Sequence, residues 1–379
     1  MNAAPEGTTS ARRPRVLLVS HAATLTGAPV VALEVLRALD GACERVTVLR
    51  RRGELAGDFR GSSERVLVEP LHRACRFLRH WDRTRPVEAV VACALALLTL
   101  LRVRPDVVYL NTSESAGYVR PALWLKKRVI LHVHEPRSDA TRMLRPHRLG
   151  KRYGRVTLVA VSEAARAELA DITEQPASAI RLVATSTDPN RVARLAAGGE
   201  PTATVVGAVG SVTHRKGTDL WLDVAGRVRD NDPDARFEWL GDLPDRTLRT
   251  RVHQLGLDGV VEFVPAVHNP YPRMRSYAVL TVPSREETAG LVVQEAMALG
   301  VPVVAFDLPA VAEQLGDAGV LVSAGDTAAM ADAVLVLLGD PDLRLAMGGR
   351  GRKRAFAMFS LARFHDSVRA LVVGESATQ

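Results

Sequence analysis

Val279-Leu280-Thr281-Val282-Pro283-Ser284-Arg285-Glu286-Glu287-Thr288-Ala289-Gly290-Leu291-Val292-Val293-Gln294-Glu295-Ala296-Met297-Ala298 passes from a short apolar run, through a polar turn, into a helical pattern that reaches Leu299. A buried strand, a loop and a helix in that order form the repeating unit of an α/β protein with a parallel sheet. The alternation extends both ways. Strands are predicted over 205–209, 237–240 and 260–264 ahead of this stretch, and over 301–305 and 320–322 behind it, with a helix over 219–228. An earlier series occupies 16–19, 45–49, 65–68, 107–110, 129–133 and 158–161. There a helix is expected from Pro29 to Leu39, opened by its proline, and another is capped by the Ser162 hydroxyl. Between the two series lies Ala196-Ala197-Gly198-Gly199-Glu200-Pro201, the most linker-like stretch in the middle of the chain. Two α/β domains are therefore predicted, residues 1–195 and 196–360, with a final helix within 361–379 returning to the first. A length of 379 residues suits two cores better than one.

Composition narrows the class. Apolar residues make up 47% and charged residues 24%, as in a globular protein. The most apolar run, residues 89–101, falls short of the roughly 20 residues a membrane span needs. The start of the chain has no apolar secretory core, and Cys43, Cys75 and Cys93 are too scattered for a disulfide framework or metal site, so a reducing cytoplasm is expected. Charge is uneven. Residues 1–200 hold 32 Lys and Arg against 20 Asp and Glu, whereas the remainder holds 18 against 22. A basic first half suits an anionic partner, such as membrane lipid, a phosphorylated acceptor or nucleic acid; an arginine-rich solvated surface explains it equally well.

Ligands of open parallel sheets sit beyond the carboxyl ends of the strands. Gly210-Ser211-Val212-Thr213-His214-Arg215-Lys216-Gly217-Thr218 lies there, after a strand and before a helix, and its cations beside a helix start suit a phosphate. It matches neither the P-loop nor the dinucleotide fingerprint. Glu287 ends a loop of the same kind, and Gly290 opens a helix whose first amides are free for an anion. Glu295, flanked by apolar residues, is expected to face inward, where a carboxylate needs a hydrogen-bond partner. His132 and His134 share one face of a strand, with His134 nearer the ligand end. Asp230, Asp232 and Asp234 could tempt a magnesium assignment, but they fall between a helix and a strand on the amino side of the sheet, so a solvated turn and no metal site are expected.

Pro283-Ser284, Glu287, Gly290, Glu295-Ala296-Met297-Ala298, Gly300 and Pro302-Val303-Val304, with Lys216-Gly217 after the earlier strand, resemble the signature of the retaining glycosyltransferases of family 4, which have the two-domain GT-B fold. The resemblance extends along the whole chain, through Gly27, His134, Ser162 and Gly241-Asp242. It implies a sugar transferred from a UDP- or GDP-sugar to a hydroxyl acceptor, with no metal and no cofactor beyond that substrate. Lys216 with Arg215 would neutralise the departing diphosphate, helped by the amides of Gly290 and Leu291. Glu287 would hold the donor sugar, with Thr288 and Ala289 in the same donor loop, and Glu295 the ribose. Gly27 would admit backbone close to the diphosphate or the acceptor, and His134 would stand near the sugar. The chain departs from the pattern at Ser211 (usually arginine), Ala289 (usually phenylalanine), Thr185-Ser186-Thr187-Asp188 (usually N-G-V-D) and Pro265 (usually glycine). These changes bear on donor identity more than on the reaction.

The acceptor is read as a saccharide, lipid-linked or natural-product hydroxyl. Arg73, Arg76, Arg79, Arg83 and Arg85 alternate with Leu71, Cys75, Phe77, Leu78 and Trp81, the pattern of a basic amphipathic helix for peripheral contact with the inner membrane face. Arg137, Arg142, Arg145 and Arg148 could meet an acidic acceptor. Ordinary exposed arginine faces explain both clusters nearly as well. Rival readings are a nucleotide-sugar epimerase or phosphorylase of similar architecture, and a non-catalytic sugar-nucleotide or nucleic-acid binder. The lysine–glutamate register disfavours both, and 4% aromatic content offers few stacking platforms for nucleic acid.

Overall fold

The computed structural model describes residues 12–69, 85–147, 150–198, 202 and 204–374. They form two parallel sheets flanked by helices. The first contains β1 (Arg15–Ser20), β2 (Glu44–Leu49), β3 (Arg65–Val68), β4 (Val107–Leu110), β5 (Arg128–Val133), β6 (Thr157–Ala160) and β7 (Arg181–Leu182), in the order β3-β2-β1-β4-β5-β6-β7. The second contains β8 (Val205–Gly210), β9 (Arg236–Gly241), β10 (Val261–Pro265), β11 (Val279–Val282), β12 (Val303–Phe306) and β13 (Val320–Val322), in the order β10-β9-β8-β11-β12-β13. Strand order reverses between β1 and β4 in one sheet and between β8 and β11 in the other. Each reversal opens a crevice at the carboxyl ends.

Both faces of β1 are covered, which is why it reads as an unbroken apolar run. Leu17 and Val19 enter one core, while Val16 and Leu18 enter another on the opposite face. The helix Leu361–Val373 closes this second core through Phe364, Val368 and Val372, spaced four residues apart along one stripe. Each such buried side chain contributes about 2 kcal/mol. Arg128 fastens the end of that helix by donating to the Val372 carbonyl at 2.8 Å. The last helix thus packs against the first sheet.

Several boundaries differ from the sequence reading. The helix expected to open at Pro29 begins at Gly27, with Pro29 still inside the first turn, where a missing N–H is tolerated. Strand β12 starts at Val303 rather than Val301, because Pro302 has no N–H to give a ladder. β7 went unrecognised, being two residues long with one exposed arginine. The apolar run 89–101 lies inside the helix Arg85–Val103, where Ala96, Leu100 and Val103 pack into the first core. No helix among the described residues is long and apolar enough to cross a membrane. The basic stretch from Leu71 to Arg83 and Arg148 lie outside the described residues, as does the side chain of Arg85.

Candidate functional site

In the second sheet, Gly217 joins the two loops that matter. It has φ +71°, which favours glycine, and a Cβ there would stand 1.9 Å from the Pro283 carbonyl oxygen. The basic loop can therefore lie directly against the glutamate loop. Arg285 locks the pair, donating to both Asp219 oxygens at 2.7 and 2.6 Å and to the His214 carbonyl at 2.6 Å. Arg215 donates to the Glu286 carbonyl at 3.2 Å. Lys216 Nζ, brought over in this way, is hydrogen-bonded to Glu287 Oε1, which also accepts from Ser284 Oγ at 2.8 Å. Burial alone would raise the Glu287 carboxyl. The Lys216 ammonium, with Arg215 and the Ser284 hydroxyl, more than offsets this and holds it below the ordinary carboxylate range.

The helix Leu291–Leu299 starts at Gly290, which has φ +48° and provides no side-chain cap, so its first amides lack acceptors within the helix. Leu291 packs into the first domain, and a Cβ on Gly27 would lie 3.8 Å from Leu291 Cδ1. Gly27 opens its own helix, Gly27–Ala38, also without a side-chain cap. Two helix N-termini from different domains therefore meet, each carrying positive dipole charge. Thr288 completes the contact by donating to the His134 carbonyl at 2.7 Å, and Ala289 packs against the first core.

Glu295 does face inward. Its partner in the structure is the Tyr271 hydroxyl, 3.2 Å from Oε1, at a cavity of about 60 Å³ also lined by Glu34, Arg191 and Leu291. Burial raises the Glu295 carboxyl to about 7, the tyrosine only partly opposing it. Glu34 binds Arg37, Arg191 at 3.4 Å and His365 at 3.1 Å, joining the first domain, the crossover between the sheets (residues 185–195, with the helix Pro189–Leu195) and the last helix. Gln294 ties the same helix to the crossover, donating to the Thr185 carbonyl at 3.0 Å and accepting from the Thr187 amide at 2.9 Å. Tyr271, Arg191, Glu34 and Gln294 were not singled out from sequence. A buried amide in an apolar helix was the available signal for Gln294.

His134 follows β5 at the mouth of the first sheet. Its ring packs 4.2 Å from that of His132, whose Nδ1 shares a hydrogen bond with the buried Tyr109 hydroxyl at 2.7 Å. Burial first, then the neighbouring His132 and His21, pull the His134 imidazole well below its ordinary range, so it is neutral near pH 7. Glu135 buttresses the position by accepting from the Ser113 and His134 amides at 3.1 and 3.2 Å. Of the arginines proposed to meet an acidic acceptor, Arg137 is paired with Asp171 at 2.9 Å and Arg142 with Asp139 at 2.6 Å, both on the surface. Asp230 ends up beside Arg229, and Asp232 accepts from the Asp234 amide at 3.1 Å, as in an ordinary turn at the amino side of the sheet.

Two family models match the chain: "Glycosyltransferase Family 4" over residues 25–191 and "Glycosyl transferases group 1" over residues 203–340. Among curated relatives, a lipopolysaccharide core biosynthesis mannosyltransferase of Rhizobium meliloti is 32% identical over 188 residues, 45% of this chain and 51% of its own. An alpha-D-kanosaminyltransferase of Streptomyces kanamyceticus is 33% identical over 42% of this chain and 43% of its own. A D-inositol 3-phosphate glycosyltransferase of Jonesia denitrificans is 32% identical over 43% of this chain and 41% of its own. The chain thus spans about half the length of the curated relatives it matches. Among solved structures, Anabaena HepE in complex with UDP and glucose superposes with a TM-score of 0.76 at 16% identity, over 95% of this chain and 99% of that one. WaaG, a glycosyltransferase involved in lipopolysaccharide biosynthesis, gives 0.72 at 15% identity over 95% and 100%.

Proposed function

This chain belongs to family 4 of the glycosyltransferases and has their GT-B fold, and on that premise we propose that it moves a sugar from a UDP- or GDP-sugar to a hydroxyl acceptor with retention of anomeric configuration. The observation that carries this reading is that Lys216 is bonded to Glu287, in the loop that Arg215 also reaches, three residues ahead of the uncapped helix start at Gly290, which itself meets the uncapped helix start at Gly27. Fixed cations and amide dipoles of this kind stabilise a diphosphate as it departs, and removing one such group typically lowers turnover about 10²–10³-fold.

In this reading residues 196–360 hold the donor, and residues 1–195 with 361–379 hold the acceptor. Lys216 and Arg215 neutralise the diphosphate together with the Gly290 and Leu291 amides, while Gly27 lets the first domain come close. Glu287 leaves Lys216 to accept sugar hydroxyls, and Glu295 exchanges Tyr271 for the ribose. Neutral His134 borders the sugar. The bond from the anomeric carbon to the β-phosphate oxygen breaks, and the acceptor oxygen bonds to that carbon on the same face. The departing phosphate takes the acceptor proton, so the step needs neither a metal nor a cofactor. The cytoplasm supplies such donors. Family membership favours this transfer over epimerisation, phosphorolysis or simple binding.

UDP, named with the Anabaena structure, is the first nucleotide to test. A thermal-shift panel of nucleoside-diphosphate sugars should raise the melting temperature by several degrees for one base, since a ligand of the native state stabilises it by mass action. No shift with any nucleotide contradicts the proposal.

A further inference from the structure

The peptide that joins Ala289 to Gly290 carries the amide at the start of the helix Leu291–Leu299, and little in its own loop fixes which way that peptide faces. Ala289 offers only a methyl group for anchorage, and Gly290, at φ +48°, accepts either sign of φ. Thr288 is bonded to the His134 carbonyl, and Glu287 to Lys216 and Ser284, but these contacts hold side chains ahead of the peptide. Turned over, it would present a carbonyl where it now presents an N–H, because the two point in opposite directions across a planar trans unit.

Gln314 makes the choice. It lies in the helix Pro309–Leu315, only 7% exposed, and its Nε2 donates to the Ala289 carbonyl. Its Oε1 and Nε2 stand 3.4 and 3.5 Å from where a Cβ on Gly290 would be, so the whole amide group rests against the turn. With the carbonyl held on this side, the Gly290 N–H faces the other, and no turn, loop or cap bond among the described residues uses it. Gln314 is itself fixed from behind. Arg354, in the helix Pro341–Met358, donates to the Gln314 and Glu313 carbonyls at 2.7 and 3.1 Å. Gln314 Oε1, although buried, has no partner among the described residues. A buried amide with one end unsatisfied is costly, and an apolar side chain would fill the place without that cost. Packing alone does not account for a glutamine here.

We infer that Gln314 is a positioning residue for the transfer: it holds the Ala289–Gly290 peptide so that the Gly290 amide faces the donor diphosphate. The inference rests on the proposed transferase reading, which puts the diphosphate at that amide. Gln314 touches neither the donor nor the reacting atoms. Its effect passes through one peptide group, and so it belongs to the affinity for the diphosphate and not to the affinity for the nucleoside.

The test titrates UDP and uridine, or GDP and guanosine if that is the base bound, into the full chain and into Gln314→Met and Gln314→Leu, with melting temperature as the readout. Both substitutions remove the donor and the unpaired acceptor together, so the melting temperature without ligand should hold or rise in the variant that packs better. Apparent affinity for the nucleoside diphosphate should fall about tenfold, the worth of one charge-assisted hydrogen bond, while affinity for the nucleoside stays as in wild type. Either variant that melts cooperatively decides the matter. Diphosphate and nucleoside affinities that fall together, or a diphosphate affinity that does not fall, overturn the inference. The wild-type titration reports on the donor reading independently: no response to either diphosphate sinks that reading and this one with it, whereas a response of equal strength in Gln314→Met sinks this one alone.

Discussion

The crevices of the two sheets occupy equivalent places in the fold yet differ in how their polar groups are satisfied. In the second, the charged groups answer one another, Lys216 with Glu287 and Arg285 with Asp219, the Ser284 hydroxyl also donates to Glu287, and one buried atom beside Gly290, Gln314 Oε1, is left unpaired. In the first, His21, Asn111 and His134 each keep a buried atom unpaired. The charges of the second crevice are paired within it, and on the proposed reading a ligand would take the place of one of those pairs. On the same reading the acceptor would complete the first. Stability and turnover should therefore respond differently to substitutions on the two sides.

The largest effect is expected at Lys216. Lys216→Ala should lower turnover by two to three orders of magnitude, and it should also destabilise the fold by about 3 kcal/mol, because Glu287 would be left buried without its partner. The double substitution Lys216→Met with Glu287→Gln should recover most of that stability in urea titration, but none of the turnover. Recovery of both would erase the distinction between the crevices.

The glycines give a second contrast. Gly217→Ala meets a positive φ and the Pro283 carbonyl at 1.9 Å, so a loss of about 2–4 kcal/mol is expected by denaturation. Gly27→Ala meets only Leu291 Cδ1 at 3.8 Å. Its stability should change by less than about 1 kcal/mol, while the KM for donor rises. Similar stability losses at both positions would contradict the roles given to them.

A smaller effect lies in pH. With its carboxyl raised to about 7, Glu295 binds its proton more tightly in the folded chain than in the unfolded one. Its contribution to stability is therefore complete below the unfolded value and declines as pH climbs from there through 7. Glu295→Gln should abolish this decline in denaturation curves recorded at pH 5 and pH 7.5. If the ribose hydroxyls hydrogen-bond the carboxylate form, nucleotide affinity of the wild type should strengthen over the same interval. An unchanged pH profile in Glu295→Gln would show that another group is responsible.

Much of this was legible in the sequence because its causes are local. Val279–Val282, Leu291–Leu299 and Val320–Val322 were read to the residue, since apolar runs bounded by Pro283, Gly290, Gly300 and Gly319 punctuate themselves. Lys216, Glu287, Gly290 and Glu295 lie at the ligand end of the second sheet for the same reason: the motif is one strand, one loop and one helix. What could not be read was partnership between distant segments. Nothing near Glu295 announces Tyr271, and nothing near Ala289 announces Gln314. The pairing of Lys216 with Glu287 depends on how closely Gly217 lets two loops approach, a matter of packing rather than of pattern. The first sheet's crevice was the least legible part, because His21 and Asn111 come from two loops that converge with His134 only once the strands are ordered.

The most direct test of the account is a crystal structure of the chain bound to UDP or GDP. The account predicts the diphosphate between the sheets, with Lys216 Nζ and the Leu291 amide within about 3 Å of its oxygens and Glu287 released from the lysine. A nucleotide bound elsewhere, with the Lys216–Glu287 pair intact, would contradict it.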